Sequence, residues 1–430
     1  MPCFILDLHL HSKYSRGTSP QMDLENIYRW SKIKGIQVVG TGDFTHPQWF
    51  REIQKKLEPA EPGLFRLKKT LARKQDKTLP ACLKNNQSRF ILTAEISNIY
   101  KKHDQVRKMH NILVAPDLKT VSQINAELQK IGNLTADGRP ILGLDSKKLL
   151  QITLKVNPDS FFIPAHIWTP WFSLFGSKSG FNTIEQAFEE LSPHITAVET
   201  GLSSDPFMNW RLKALRKITL VSNSDAHSPL KLGREANLLN CPLNYHEIIK
   251  ALKTNSVKMT GTIEFFPQEG KYHYDGHRSC GIRLTPEQTR RYKGLCPKCG
   301  RPVVVGVDYR VNELADFSQN SKPKKHKTVE YIIPLVEILA ELKGAKTIGA
   351  GVLQKYHEIY SALGDEFSIL RTISPKVIKQ AGFPNLAIAI NRLRRGRVYI
   401  EPGYDGVFGI IKVFSPKEQA QRISGQTSLF

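Results

Sequence analysis

No run of about 18 uncharged apolar residues occurs in the 430-residue chain, so the sequence offers no membrane-spanning helix. The opening MPCFILDLHLH has no basic segment ahead of its apolar stretch, and it is not expected to be a secretory leader. Acidic residues are scarce. Against 62 Lys and Arg stand 39 Asp and Glu, for a formal charge of +23. A surplus of that size favours a polyanionic partner, nucleic acid ahead of a membrane surface. Cysteine is scarce too, with six residues, three of them scattered and three clustered (Cys280, Cys296 and Cys299). That usage suits a reduced compartment and one metal site better than a disulfide framework. The phosphate-cradling pattern GxxxxGK[ST] is missing, so nucleoside triphosphate hydrolysis has no support. The length suits two or three domains.

What is present is a recurring apolar run that stops at an ionisable residue. CFILDLHLH ends in His9 and His11, which a strand of period two places on one face. IQVVGTGDFTH ends in Asp43 and His46, and RFILTAEIS delivers Glu95. SFFIPAH ends in His166, HITAVET in Glu199, and KITLVSNSDAH in Asp225 and His227. MHNILVAPDL differs, since His110 begins its run. Helix-like segments such as DLENIYRWSKIKG and TIEQAFEELS lie between the runs. Strands alternating with helices predict parallel βα units whose polar ends gather at one rim, where βα barrels carry their chemistry. Imidazoles and carboxylates there can bind Zn²⁺, Mn²⁺ or Fe²⁺. Paired ions acidify bound water and clamp phosphoryl oxygens. Glu95 and Asp225 are the natural bridging and catalytic carboxylates, because each has two oxygens.

Further along, His277-x-x-Cys280 and Cys296-x-x-Cys299 make two knuckle-like pairs with the spacing of a zinc ribbon, and structural zinc is expected there. His273 is the rival fourth ligand. HIWTPWFSLFG places Trp168, Trp171, Phe172 and Phe175 just beyond His166, on a loop where aromatics could stack on an extruded base. Core packing is the competing role for each. RLKKTLARKQDKTLPACLK reads as a basic surface insertion, and SKPKKHK as a linker. From TVEYIIPLVEILAEL onward the pattern is helical, ending in a basic cluster with Arg392, Arg394 and Arg395, expected to meet phosphates.

Together these motifs resemble the polymerase and histidinol phosphatase (PHP) superfamily. That resemblance implies a distorted seven-stranded βα barrel holding two or three metal ions that hydrolyse phosphoesters. Its ligand pattern falls on His9, His11, Asp43, His46, Glu95, His110, His166, Asp225 and His227. Two departures mark the third metal position. Phe44 and Thr45 separate Asp43 from His46, where the superfamily has adjacent residues, and SKYSRGTSP supplies no acid or histidine after the HxH.

GLSSDPFMNWR, which contains Arg211, resembles the endonuclease Q family of archaea and some bacteria. So do EFFPQEGKYHYDGHRSCGIRLTP, CPKCG, VDYRVNELAD and VYIEPGYDGVFGIIKVF. This implies cleavage of double- or single-stranded DNA 5′ to hypoxanthine, uracil, xanthine or an abasic site. Zinc is expected in the ribbon and the PHP cluster, with Mg²⁺ or Mn²⁺ stimulating activity. Arg211, Trp168, Trp171 and Phe172 join the basic cluster as expected DNA or lesion contacts. The expected division is a PHP domain at 1–262, a zinc-binding domain at 263–320, a helical DNA-contacting domain at 321–415 and a tail at 416–430. In the closing QTSLF, Gln426, Leu429 and Phe430 suit docking on a sliding clamp of the PCNA or β-clamp type. A monomer, cytoplasmic and nucleoid-associated in a prokaryote, is the matching expectation. The competing reading is a PHP-type phosphatase acting on a small phosphorylated metabolite. It accounts for the cluster but not for the ribbon, the basic C-terminal region or the charge.

Overall fold

The computed structural model describes residues 3–319 and 321–427, with side chains as far as 421. Short β-branched runs form the centre. Phe4–Asp7 pairs in parallel with Val38–Gly40, which pairs in parallel with Arg89–Lys102. All residues of the first two strands are buried, as parallel strands covered on both faces require. Helix Leu24–Lys34 connects them. Asp23 caps its start by accepting from the Asn26 N–H at 2.8 Å, and Gly35 ends it at φ 84°. Leu24, Ile27 and Ile33 form its buried face, against the outer side of the sheet.

Arg89–Lys102 turns into Gln105–Ala115 as a long antiparallel hairpin, and the latter pairs with Phe161–Pro164. On the other flank Phe4–Asp7 is antiparallel to Ala236–Leu239, followed by Met259–Glu264. Thr328–Tyr331 joins this edge as a parallel strand. The helical reading of that segment is thereby corrected: Thr328, Val329 and Tyr331 are strand formers that cover an otherwise bare edge.

A closed seven-stranded barrel is not what the hydrogen-bond ladder forms. Among the described residues eight strands follow an open path and three more branch from it, and Ala197–Glu199 with Thr219–Val221 makes a separate parallel pair. Polar links span the two gaps. The Ile167 N–H donates to the Glu199 carbonyl at 3.1 Å, beside Phe161–Pro164. Asn237 donates to the Ser222 carbonyl at 2.7 Å, and the Leu8 N–H donates to Asn223 Oδ1 at 2.9 Å. The fold is a mixed α/β architecture with two apolar layers. Phe4, Leu6, Val38, Ile91, Ile112, Ile163 and Val221 fill the inner one. The outer one runs on without a break into Leu335, Ile338, Tyr356 and Ile390 of the C-terminal helices. A buried ion pair, Lys34 Nζ to Glu366 Oε2 at 2.7 Å, pins that C-terminal region to helix Leu24–Lys34. The cysteine-rich module has its own small core of Leu284, Cys296 and Val303.

Candidate metal centre

Past Asp7 the chain continues beside the 222–227 segment, and a bridge between Leu10 and Ala226 brings His9 and His11 against Asp225 and His227. Glu95 lies within Arg89–Lys102. His110 lies on the facing strand two positions off Glu95's partner Ile112, so both project from one face of the hairpin. His166 follows Phe161–Pro164. Asp43, His166 and Asp225 each have positive φ (48°, 28° and 46°), a sharp turn at the strand end that aims the side chain into the rim.

Two ligand groups share one carboxylate. His9, His11, Glu95 and Asp225 offer ligand atoms within 4.8 Å of one another, and so do Glu95, His110 and His166. Glu95 Oε1 lies 2.8 Å from His110 Nδ1 and 3.1 Å from His166 Nε2. Its Oε2 lies 3.3 Å from His9 Nε2 and 3.2 Å from His11 Nε2. Asp225 Oδ1 is 3.1 Å from His11 Nε2. His9 Nε2 is buried and makes no hydrogen bond, which is the condition of a ligand atom aimed at a cation. The donor set therefore fits a metal pair joined through Glu95.

A second layer orients these ligands. Glu199 accepts from His9 Nδ1 at 3.0 Å and from the His166 backbone N–H at 2.8 Å. Asp43 Oδ1 faces His11 Nδ1 at 3.1 Å, while Oδ2 accepts from the Ser12 N–H, Ser12 Oγ and Ser15 Oγ at 2.6, 2.7 and 2.8 Å. Each carboxylate fixes an imidazole so that Nε2 points into the site. Burial works to lower the pKa values of His9 and His11, but the surrounding carboxylates more than offset it and raise both well above the ordinary value. Burial likewise works to raise Glu95 and Asp225, yet the imidazoles hold both well below the usual carboxylate range. His110, crowded by burial, is pushed down to about 4.

Several expected residues stand elsewhere. Asp43 has both oxygens engaged and acts on His11 instead of facing a metal. His46 caps helix Pro47–Lys56 and stacks on Tyr14 with ring centroids 4.4 Å apart; the residues between it and Asp43 carry it away from the cluster. His227 packs its ring on His11 at 4.5 Å, at the edge of the first group. Trp168 is fully buried, donates from Nε1 to Asn209 Oδ1 at 2.8 Å and packs on Phe175, so it belongs to the core and cannot stack on a base. Phe172 is half-buried over the His110 ring. Trp171 is 42% exposed and meets Tyr272 edge-on. Arg211 is buried, with Nη2 on Asn312 Oδ1 at 2.6 Å, and fastens helix Val307–Leu314 to the sheet domain. Arg392 pairs with Glu418, and Arg394 caps the carbonyls of Ile369 and Leu370. Of the three expected phosphate contacts, Arg395 is exposed with no side-chain partner among the described residues. Gln426 falls in helix Pro416–Thr427, but its side chain, like Leu429 and Phe430, lies outside the described residues.

Sequence reasoning missed Arg139, whose Nη1 reaches Glu95 Oε2 at 3.1 Å, and the serine pair behind Asp43. The strand-end signal that marked Glu199 gave no sign of its role behind His9 and His166. In the cysteine module, His277, Cys280, Cys296 and Cys299 bring four ligand atoms within 4.8 Å of one another. His273 is buried apart from them, so His277 completes the set. Beside Asp225 opens a cavity of about 560 Å³ lined by Trp171, Lys231, Arg234, Glu269, Tyr272 and Glu337. Arg234 donates from Nη2 to the Asp225 carbonyl at 3.2 Å, so cavity and centre share a wall.

No protein-family model matches the chain. Among curated proteins it is 33% identical over 283 residues, 62% of this chain, to the uncharacterized protein MJ0043 of Methanocaldococcus jannaschii. The match spans about a third (34%) of that relative's length. It is 28% identical over 313 residues to the uncharacterized protein YqxK of Bacillus subtilis, covering 71% of this chain and 74% of the relative. Among solved structures, the lesion-specific endonuclease PfuEndoQ from Pyrococcus furiosus matches with a TM-score of 0.82 and 30% identity over 98% of this chain and 97% of that one. An endonuclease Q complex with a 27-mer duplex carrying an abasic lesion at its active site gives 0.81 and 30% over 97% and 98%. Likeness along the whole chain, with a centre of this composition at the strand ends, makes this protein a DNA endonuclease, a hydrolase of phosphodiester bonds. It belongs to the endonuclease Q family.

Proposed function

We propose that this chain is a metal-dependent repair endonuclease that cuts DNA 5′ to deaminated bases (hypoxanthine, uracil and xanthine) and to abasic sites. The observation that carries this reading is the cavity of about 560 Å³ sharing a wall with the metal centre. A nucleotide extruded from the duplex can then seat its base in the cavity while its phosphate meets the ions that Glu95 and Asp225 would hold. Bound ions would supply an acidified water and neutralise phosphoryl oxygens. Zinc suits the imidazole-rich centre and the Cys₃His module, with Mg²⁺ or Mn²⁺ as further activators.

The protein's own contribution is positional. Glu199 and Asp43 fix the imidazoles of His9 and His11, and Glu95 ties the two ligand groups together. In the cavity, burial and the charge of Glu337 raise Glu269 to about 7. A carboxyl that keeps its proton near neutrality can donate to a carbonyl oxygen, the group that deamination puts in place of an amine. A phosphatase for a small metabolite has no need of the Cys₃His module or of a net charge of +23.

The test is nicking of duplexes carrying a single uracil, hypoxanthine, xanthine or abasic site, beside an undamaged duplex and a simple phosphomonoester. Incision one bond 5′ to each lesion is expected, with Asp225→Asn losing more than about a hundredfold in rate while still binding DNA. Hydrolysis of the phosphomonoester alone would defeat the reading.

A further inference from the structure

Arg139 sits inside the metal centre without being able to serve it as a ligand. Its Nη1 lies 3.1 Å from Glu95 Oε2, the oxygen that also faces His9 and His11. Among the described residues its Nε and Nη2 make no hydrogen bond. A guanidinium stays charged at every working pH and presents five donors in one plane, a match for phosphate oxygens. Glu95 and Asp225 favour its charge, and with cations collected by the same carboxylates that charge would be available to a further anion.

The chain holds it there from both sides. Asp137 Oδ1 accepts from the backbone N–H of Arg139 at 3.1 Å and of Arg16 at 3.3 Å. Gly138 donates to the Tyr14 carbonyl at 3.0 Å, and a Cβ on it would meet Asp43 Oδ2 and Ser15 Oγ at 2.3 Å each. The Pro140 carbonyl accepts from the Ser97 N–H at 3.0 Å, on the strand that carries Glu95. Glycine at 138 thus lets the turn close directly on Asp43 and deliver the next residue into the centre. The residues that would serve a third ion are taken up at the same place, with Asp43 saturated by His11, Ser12 and Ser15, and His46 turned onto Tyr14.

We propose that Arg139 is a catalytic residue that receives a non-bridging oxygen of the scissile phosphate, supplying the positive charge where a third ion would otherwise stand. No bond is made or broken at the guanidinium. It stabilises charge that grows on the phosphoryl oxygens as the leaving group departs. The inference rests on the endonuclease reading above.

Arg139→Ala and Arg139→Lys, compared with the native chain, test it through metal content, affinity for a lesion duplex and single-turnover cleavage. Both variants are expected to keep the native metal content per chain. Arg139→Ala should cleave about 10²- to 10³-fold more slowly, the usual effect of removing one preorganised donor. Arg139→Lys should recover part of the rate, and millimolar guanidinium should rescue Arg139→Ala where sodium at equal ionic strength does not. A neutral methylphosphonate at the scissile position should slow the native chain far more than Arg139→Ala. Cleavage by Arg139→Ala within about threefold of native, a rate loss matched by loss of metal, or a methylphosphonate penalty equal in both would each overturn the proposal. A native chain that nicks no lesion duplex would instead overturn the endonuclease reading, a result distinguishable from a native chain that nicks and an Arg139→Ala that keeps pace.

Discussion

Two tryptophans three residues apart should fail in opposite ways when truncated. Trp168 is 0% exposed, its indole N–H satisfies Asn209, and its ring packs on Phe175. Trp168→Ala leaves a cavity worth about 3–5 kcal/mol and orphans a buried acceptor worth about 1–3 kcal/mol more, the total reduced by whatever collapse the site allows. The urea midpoint should fall sharply, and at permissive temperature the folded fraction should cut all lesions with similar relative rates. Trp171, 42% exposed at the cavity wall, loses little packing on truncation, and its stability should move by about 0.5–1 kcal/mol. If its ring stacks on the extruded base, about 1–3 kcal/mol of binding is lost, roughly 5- to 150-fold in affinity. Single-turnover cleavage of uracil, hypoxanthine and abasic duplexes, read beside urea unfolding, separates the two. An abasic site has no base to stack, so its cleavage should fall least in Trp171→Ala. Equal unfolding penalties for both variants, or native cleavage of all three duplexes by Trp171→Ala, would refute this division.

The cysteine module has a core of only three buried apolar residues, so its fold should lean on its ion: Cys299→Ser should release about one metal per chain and impair lesion binding while the centre around Glu95 keeps its metals. Metal analysis after dialysis checks this, and a full complement in the variant would count against it. Glu264 is raised by burial to about 8 against an ordinary 4.5, so above pH 4.5 the unfolded chain releases this proton before the folded one does. Its contribution to stability therefore falls as pH rises from 4.5 to about 8 and levels off beyond. Glu264→Gln should remove that slope and melt higher than native at pH 8.5, relative to the difference at pH 5. A pH-independent gap between the two melting curves would contradict it.

The centre was largely legible because its signal is local. An apolar run ending in His or Asp is readable one strand at a time, and the four residues that come together in the cysteine module announce themselves by spacing. What was not legible depends on distant partners. The arginines at 211 and 392 look free in sequence, yet Asn312 and Glu418 occupy them across 101 and 26 positions. Periodicity cannot assign Trp168 to the core and Trp171 to the cavity, because the loop between them has no period. Arg139 lies in a turn between a helix and a short strand, where no pattern flags a residue. The segment 328–331 fits a helical repeat as well as a strand, and only the bare edge of Met259–Glu264 decides the matter.

The left-handed turns at Asp43, His166 and Asp225 tie local backbone strain to the contacts around the candidate centre. Glycine would hold each backbone without strain, whereas a side chain there costs about 1–2 kcal/mol, less for aspartate. The chain therefore stores backbone strain at three strand ends whose side chains turn toward the candidate centre, and the buried contacts of those side chains hold it there. Selection for heat tolerance alone would gain little from glycine here, since each relaxed turn would orphan the buried groups that its side chain now satisfies.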